Sequence, residues 1–317
     1  MYKSFFGLKA NPFNVNPDPR FLFVTQHTRE ALACLAYGIQ NRKGFMLLTG
    51  EVGTGKTTIL NKLLEWLHTQ RISSAFIFNP RLEVVQFFDF MFADFGIPCR
   101  SRDKSQFLLK LNQWLLERYR AREAAVLIVD EAQNLSAEML EEIRLLTNLE
   151  TSTEKLLQIV LSGQPELEQK LKLPELRQLR QRITLRSRTY ALSNEETGAY
   201  IEQRLRIAGA NGLPIFAPPA VEQIFKYSHG IPRVINLLCE HSLINAFVGQ
   251  ERPVSAEIVE EVAREFELHE IPPTVEGVVP AQGENIGLIE AIKILSSLRD
   301  SLRSEEKPRE VPLEKKL

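Results

Sequence analysis

Apolar residues along this chain fall into two kinds of run, short unbroken blocks and longer stretches at helical spacing. Phe45 to Leu48, Ser74 to Phe78 and Val126 to Val129 are blocks without a polar face, the pattern of strands buried on both sides in a parallel sheet. Between them, helical spacing predicts helices over Thr25 to Gln40, from Thr57 onward through Ile59, Leu63 and Leu67, over Val84 to Phe95, and over Ser105 to Arg120. Strand and helix therefore alternate, as in an α/β unit. From Ser193 the pattern turns wholly helical. Ser193 and Glu196 form a capping box ahead of Glu195 to Ala208, and Pro218 to Ser228, Arg233 to Phe247 and Ser255 to Phe266 follow at helical spacing.

Proline and glycine punctuate this layout. Pro12, Pro17 and Pro19 forbid a helix over residues 1 to 25 and predict an extended, turned arm. Pro12 and Phe13 of that arm either cover a purine ring or simply cap the domain. Residues 268–285 are rich in Pro, Gly and Val and read as a linker. Ile286 to Leu302 is amphipathic through Ile289, Ile292, Leu295 and Leu298, suiting a partner, a coiled coil or the protein's own lid. The chain thus divides into an arm (1–24), an α/β core (25–190), a helical lid (191–267), a linker (268–285), an amphipathic helix (286–303) and a charged, disordered tail (304–317).

Composition narrows the classes. At 317 residues and 44% hydrophobic content, the chain can bury a substantial core. A formal net charge of −1 gives no global drive toward nucleic acid or membrane, though a local patch stays open. The N-terminus has no secretory signal, and no apolar run approaches a membrane span, so the protein is expected to be cytoplasmic with no transmembrane segment. Cys34, Cys99 and Cys239 are odd in number and far apart, and the histidines lack ligand spacing, so neither a disulfide framework nor a zinc site is expected.

The chemistry sits between the first block and the helix behind it. Gly50, Gly55, Lys56 and Thr57 fit G-x-x-x-x-G-K-[ST], with Glu51, Val52, Gly53 and Thr54 inside the loop and Thr58 opening the helix. Glycines let backbone N–H groups converge on phosphate oxygens, and the helix dipole favours the same negative charge. Lys56 is expected at the β- and γ-phosphates of ATP, and the Thr57 hydroxyl on Mg²⁺. Val126 to Val129 delivers Asp130 and Glu131 to the carboxyl edge of the sheet, beside that loop. Asp130 is expected to hold Mg²⁺ through its water shell, and Glu131 to polarise the attacking water.

Together with FGLKANPF, PDPRFLF, LLTNLET, IVLSGQPEL and GIPRVINLLC, these motifs resemble the ATPase domain of the ExeA (general secretion pathway protein A) family, with the transposition regulators TnsC and MuB as relatives. The resemblance covers Phe5 to about Val262. It implies an AAA+ P-loop NTPase: a parallel five-stranded sheet between helices, followed by a helical lid. It makes Gln158 to Ser162 the fourth strand, with Ser162 or Gln164 as first sensor. It places Asn79 where relatives restrain the catalytic Glu; a strand-ending turn residue is the other reading. Among Arg177, Arg180, Arg182, Arg186 and Arg188, it makes Arg182, then Arg180, the arginine finger projected into a neighbouring subunit. It makes Arg233, at a helix start, the second sensor. It implies a homo-oligomer, a hexameric ring or a filament, serving as an ATP-driven assembly or secretion-associated motor. A protein partner for the C-terminal helix is open. The alternative is an ATP-switched DNA-binding regulator, which the neutral charge does not favour. The long proteins of that family carry a transmembrane segment and a periplasmic wall-binding domain, neither of which this tail resembles.

Overall fold

The computed structural model describes residues 2–14, 16–78, 82–98 and 103–268. Its strands, β1 (Phe45–Thr49), β2 (Ser73–Ile77), β3 (Ala125–Val129), β4 (Leu157–Gly163) and β5 (Ile183–Arg188), form one parallel sheet in the order β2-β3-β4-β1-β5. Every residue of β1, β3 and β4 is buried, which is why those segments read as unbroken apolar blocks. β5 is different. It is an edge strand whose Thr184, Arg186 and Arg188 are exposed while the residues between them are half-buried. The expectation had placed only an arginine cluster here; a strand with one wet face can carry arginines at alternate positions.

The helices are α1 (Tyr2–Phe6), α2 (Gln26–Gln40), α3 (Lys56–Thr69), α4 (Val84–Asp94), α5 (Lys104–Arg120), α6 (Ala137–Leu146), α7 (Pro165–Lys170), α8 (Arg177–Arg182), α9 (Asn194–Ile207), α10 (Pro218–Ser228), α11 (Pro232–Gly249) and α12 (Ala256–Glu265). α2 and α3 cover one sheet face through Leu35, Ile39, Leu60 and Leu63. α4, α5 and α6 cover the other through Phe88, Leu111 and Leu140. Both faces are thereby dry, and the carboxyl ends of the central strands are left for chemistry.

The lid, α9 to α12, has its own core around Leu238, Cys239 and Val259. Burial pushes the Cys239 thiol well above its ordinary pKa, leaving it a small buried group with no reactive role. The arm corrects the expectation of a chain without helix. α1 precedes the first proline, and Phe6, Leu8 and Phe13 enter the lid core, while the Tyr2 hydroxyl donates to Glu240 Oε1 at 2.9 Å. Prolines restrict the residues around them, and Tyr2 to Phe6 lies upstream of all three. Of the expected linker (268–285), amphipathic helix (286–303) and tail (304–317), residues 269–317 lie outside the described residues, as does Asn79. Among the described residues no helix is long and apolar enough to cross a membrane.

Candidate functional site

β1 ends at Thr49 inside the sheet, between β4 and the edge strand β5, and the chain turns at once into the glycine loop. Gly53 and Gly55 take φ of 80° and 95°, the left-handed region in which a side chain is strained. Gly55 caps α3 and has no side chain to satisfy the first-turn N–H groups, which leaves them for a ligand's acceptors. Lys56 opens the helix, and its ammonium curls back to donate to the Gly50 and Glu51 carbonyls at 2.7 and 2.9 Å. Burial pushes this ammonium below lysine's ordinary value, with Glu131 and then Asp130 opposing the shift. A buried cation held only by loop carbonyls and facing two acids is one that an anion would hold better.

The acids stand where the strand pattern put them. Asp130 is buried and accepts three bonds: from Thr57 Oγ1 at 2.9 Å, from Ser162 Oγ at 2.8 Å and from the Glu131 N–H at 2.9 Å. Thr57 and Asp130 thus offer two adjacent oxygens, the donor chemistry that Mg²⁺ prefers. Among the described residues there is no group of three or more His, Cys, Asp or Glu able to hold a metal by themselves, so a cation here would need the phosphates as further ligands. Glu131 takes a left-handed φ of 52° and lines the cleft. Its Oε2 accepts from the side-chain amides of Gln133 and of Gln164, the latter at 3.2 Å.

The cleft encloses about 330 Å³. The phosphate loop from Val52 to Thr58 forms its floor, and Arg233, at the start of α11, stands over it with its N–H on the Gly53 carbonyl at 3.3 Å. A Cβ on Gly53 would lie 2.9 Å from Arg233 Cβ, so the loop needs glycine there for the lid to approach. Gly50 and Glu51 lie behind the floor, holding Lys56. Ser162 is turned to Asp130 and fully buried, and Gln164 to Glu131. Arg182 lies apart from the cleft of its own chain, donating to Thr147 and, at 2.7 Å, to Asn148. Arg180 is exposed and has no partner among the described residues.

Pro12 and Phe13 do not line the cleft. Phe13 is fully buried and meets Phe216 edge to face in the lid core, and the Pro12 carbonyl accepts from Arg204 Nε at 2.5 Å. The arm residues that wall the cleft come later: Asn14, Pro17, Phe21 and Phe23, facing Leu192 and Tyr200. The sequence signal for them was the turn N-P-D-P, where Asp18 caps a short 3₁₀ turn over Pro19–Phe21 by accepting from the Arg20 N–H. The Arg20 guanidinium beside it holds the Asp18 carboxyl below its usual range. Gln133 was not read as a site residue.

A family model described as "AAA domain" matches residues 39–171, the stretch from α2 through the phosphate loop, Asp130-Glu131 and β4. This stretch is an AAA domain. The chain is 45% identical over 260 residues to general secretion pathway protein A of Aeromonas hydrophila, an alignment covering 81% of this chain and 47% of that protein. The chain therefore spans about half the length of that relative. Among solved structures, the Aeropyrum pernix ORC2 protein in its ADPNP-ADP complexes is similar with a TM-score of 0.61 at 18% identity, covering 81% of this chain and 72% of that one. Cdc6p from Pyrobaculum aerophilum is similar with a TM-score of 0.62 at 18% identity, covering 93% and 86%. The sheet and lid around the AAA domain are the AAA+ P-loop fold, and the family implies nucleotide binding.

Proposed function

We propose that the chain binds and hydrolyses ATP with Mg²⁺ as an oligomeric AAA+ motor or assembly factor associated with secretion or envelope export, acting in the cytoplasm. The observation that supports it most is the convergence of Lys56, Thr57, Asp130 and Glu131 at the mouth of one glycine loop. Lys56 and the loop N–H groups from Gly50 to Thr58 bind the phosphates, and Arg233 reaches them from the lid. Thr57 and Asp130 hold the metal, which when bound neutralises phosphate charge. Glu131 takes the proton of the attacking water. Ser162, through Asp130, or Gln164, through Glu131, reports the state of the γ-phosphate to β4. Asn14, Phe21, Phe23 and Tyr200 wall the space left for base and ribose, in place of Pro12 and Phe13. Arg182, or Arg180 as the exposed one, is supplied to a neighbouring copy. The secretion association rests on the likeness to general secretion pathway protein A across 81% of this chain.

Arg177, Arg180 and Arg186 are exposed and have no acidic partner among the described residues, which supports a second reading as an ATP-switched DNA-binding regulator. Salt-dependent DNA binding that requires ATP would favour it; an ATP response without DNA binding favours the first.

Glu131→Gln should leave ATP affinity intact while lowering turnover by about 10²- to 10⁴-fold, the usual weight of a positioned base. Undiminished hydrolysis would show that another group activates the water.

A further inference from the structure

Glu131 is the candidate base, and a base must keep an oxygen available to water while its carboxylate is held still. The carboxylate here is held from one side only. Gln133 Nε2 and Gln164 Nε2 both donate to Oε2, and no hydrogen bond from the described residues reaches Oε1. Two amides on one oxygen hold that end of the carboxylate and leave Oε1, in a side chain that lines the cleft, without a partner among the described residues.

Gln133 is itself anchored on every polar atom that the contacts define. Its Oε1 accepts from the Gln164 N–H at 3.1 Å, and its backbone carbonyl accepts from Lys170 Nζ at 2.6 Å. The same ammonium holds the Leu135 carbonyl at 2.7 Å, tying α7 to the turn that follows Glu131. A Cβ on Gly163 would lie 2.8 Å from Gln133 Oε1, so the end of β4 leaves room for this amide. Gln133 therefore bridges the ends of β3 and β4 with both ends of its side chain in use.

We infer that Gln133 is a positioning residue for ATP hydrolysis: with Gln164 it pins Glu131 Oε2 so that Oε1 faces the attacking water. The inference rests on the reading of Glu131 as the base. Gln133 takes no chemical step of its own and is not among the residues that line the cleft.

The test uses the full chain and four variants, Gln133→Leu, Gln164→Leu, the double variant and Glu131→Gln, with kcat, KM, ATP-analogue affinity and melting temperature measured for each. Leucine keeps the bulk of the side chain and removes its amide. Gln133→Leu should lower kcat about tenfold to a hundredfold, as a misplacement of the base does, with KM and affinity within about twofold of the parent. The double variant should lose little more than the worse single one, because both amides act on the same oxygen. Unchanged or increased kcat in Gln133→Leu, beside an inactive Glu131→Gln, would overturn this inference alone. A kcat loss that tracks a lowered melting temperature or weakened affinity would overturn it as well. Parent-rate turnover by Glu131→Gln would instead remove the base and, with it, the role assigned to Gln133. Should Gln133→Leu fail to fold, Gln133→Ala and Gln164→Leu carry the same kcat-against-KM readout.

Discussion

Replacing Gly230 by alanine should weaken the fold and nucleotide binding together. Gly230 has a φ of 72°, and an added Cβ would sit 1.9 Å from the Leu192 carbonyl oxygen and 2.8 Å from its carbon. Both are backbone atoms, so no rotamer change relieves the overlap. The same two residues are joined by a bond from the Leu192 N–H to the Gly230 carbonyl at 2.8 Å, in a buried setting. The left-handed conformation costs an alanine about 1–2 kcal/mol, parting overpacked segments about 1–3 kcal/mol, and losing the hydrogen bond about 1 kcal/mol. A loss of about 3–6 kcal/mol of unfolding free energy follows, large for a single substitution. Arg233 is three residues on and stands over Gly53, so the shift that accommodates the methyl also moves Arg233 off the phosphate loop. Urea unfolding followed by circular dichroism, with and without ATP, measures both effects. Gly212→Ala is the control: its φ is 88° but nothing lies within 4 Å of the added Cβ, so it should show the conformational cost alone. Gly230→Ala no less stable than Gly212→Ala, at parent affinity for ATP, would refute the argument.

Lys56→Met should abolish ATP-dependent stabilisation, and unchanged ATP affinity would remove the phosphate-loop reading. Because burial holds the Lys56 proton less tightly in the folded chain than lysine's ordinary 10.5, the unfolded chain binds more protons, and stability rises with pH from the lowered value up to 10.5. The stability of the nucleotide-free parent relative to Lys56→Met should therefore climb with pH in that window; a flat or falling difference contradicts it. Phe13→Ala should cost about 3–5 kcal/mol of stability, as for other fully buried rings. A stable Phe13→Ala with weakened ATP binding would return that ring to the base. Arg180→Ala and Arg182→Ala should each be tested for turnover alone and mixed with Lys56→Met subunits, which carry intact arginines. Rescue on mixing identifies the shared residue, and failure of both variants to respond at any ratio argues against a shared site.

What could be read from the chain divides along a physical line. Residues buried on both sides of the sheet have one solution for their side chains, so β1 and β3 stand within a residue or so of the expected places, as do β2, through its apolar block, and the capping box at Ser193 and Glu196, which is a purely local motif. Local rules gave Lys56, Thr57, Asp130 and Glu131, because a strand must deliver its last residue to the sheet edge. β5 escaped because exposed Thr184, Arg186 and Arg188 alternate with its half-buried residues, so it has no apolar block and the arginines made that segment look like a charge cluster. The arm escaped for another reason. Whether Phe13 enters the lid or stacks on a base depends on a packing partner, Phe216, two hundred residues away, which no local pattern encodes. Gln133 was invisible for the same reason: its importance comes from an amide reaching Glu131 and from a contact with Gln164, just past the end of β4.

The charge balance of the cleft links hydrolysis to assembly on the reading proposed here. Lys56 is the buried cation of the cleft and Arg233 an exposed one at its lining, and Asp130 and Glu131 offset them before any phosphate enters. Charge that develops on the transferring phosphoryl oxygens calls for a further preorganised cation. Arg204 reaches the cleft wall, yet its guanidinium is held by the Pro12 carbonyl at 2.5 Å and the Tyr200 hydroxyl at 2.6 Å, with the Phe21 ring 4.6 Å away. Arg188 pairs with Glu168 at 3.5 Å, and Arg182 is tied to Thr147 and Asn148. Within one chain, then, the described arginines other than Arg233 are engaged elsewhere or point outward. Arg180 is among those that point outward, on the short helix beside the sheet edge, where a second copy can meet it. An arginine supplied in this way raises turnover by about 10³- to 10⁵-fold, so the rate per subunit should rise with protein concentration and fall to a low basal value on dilution.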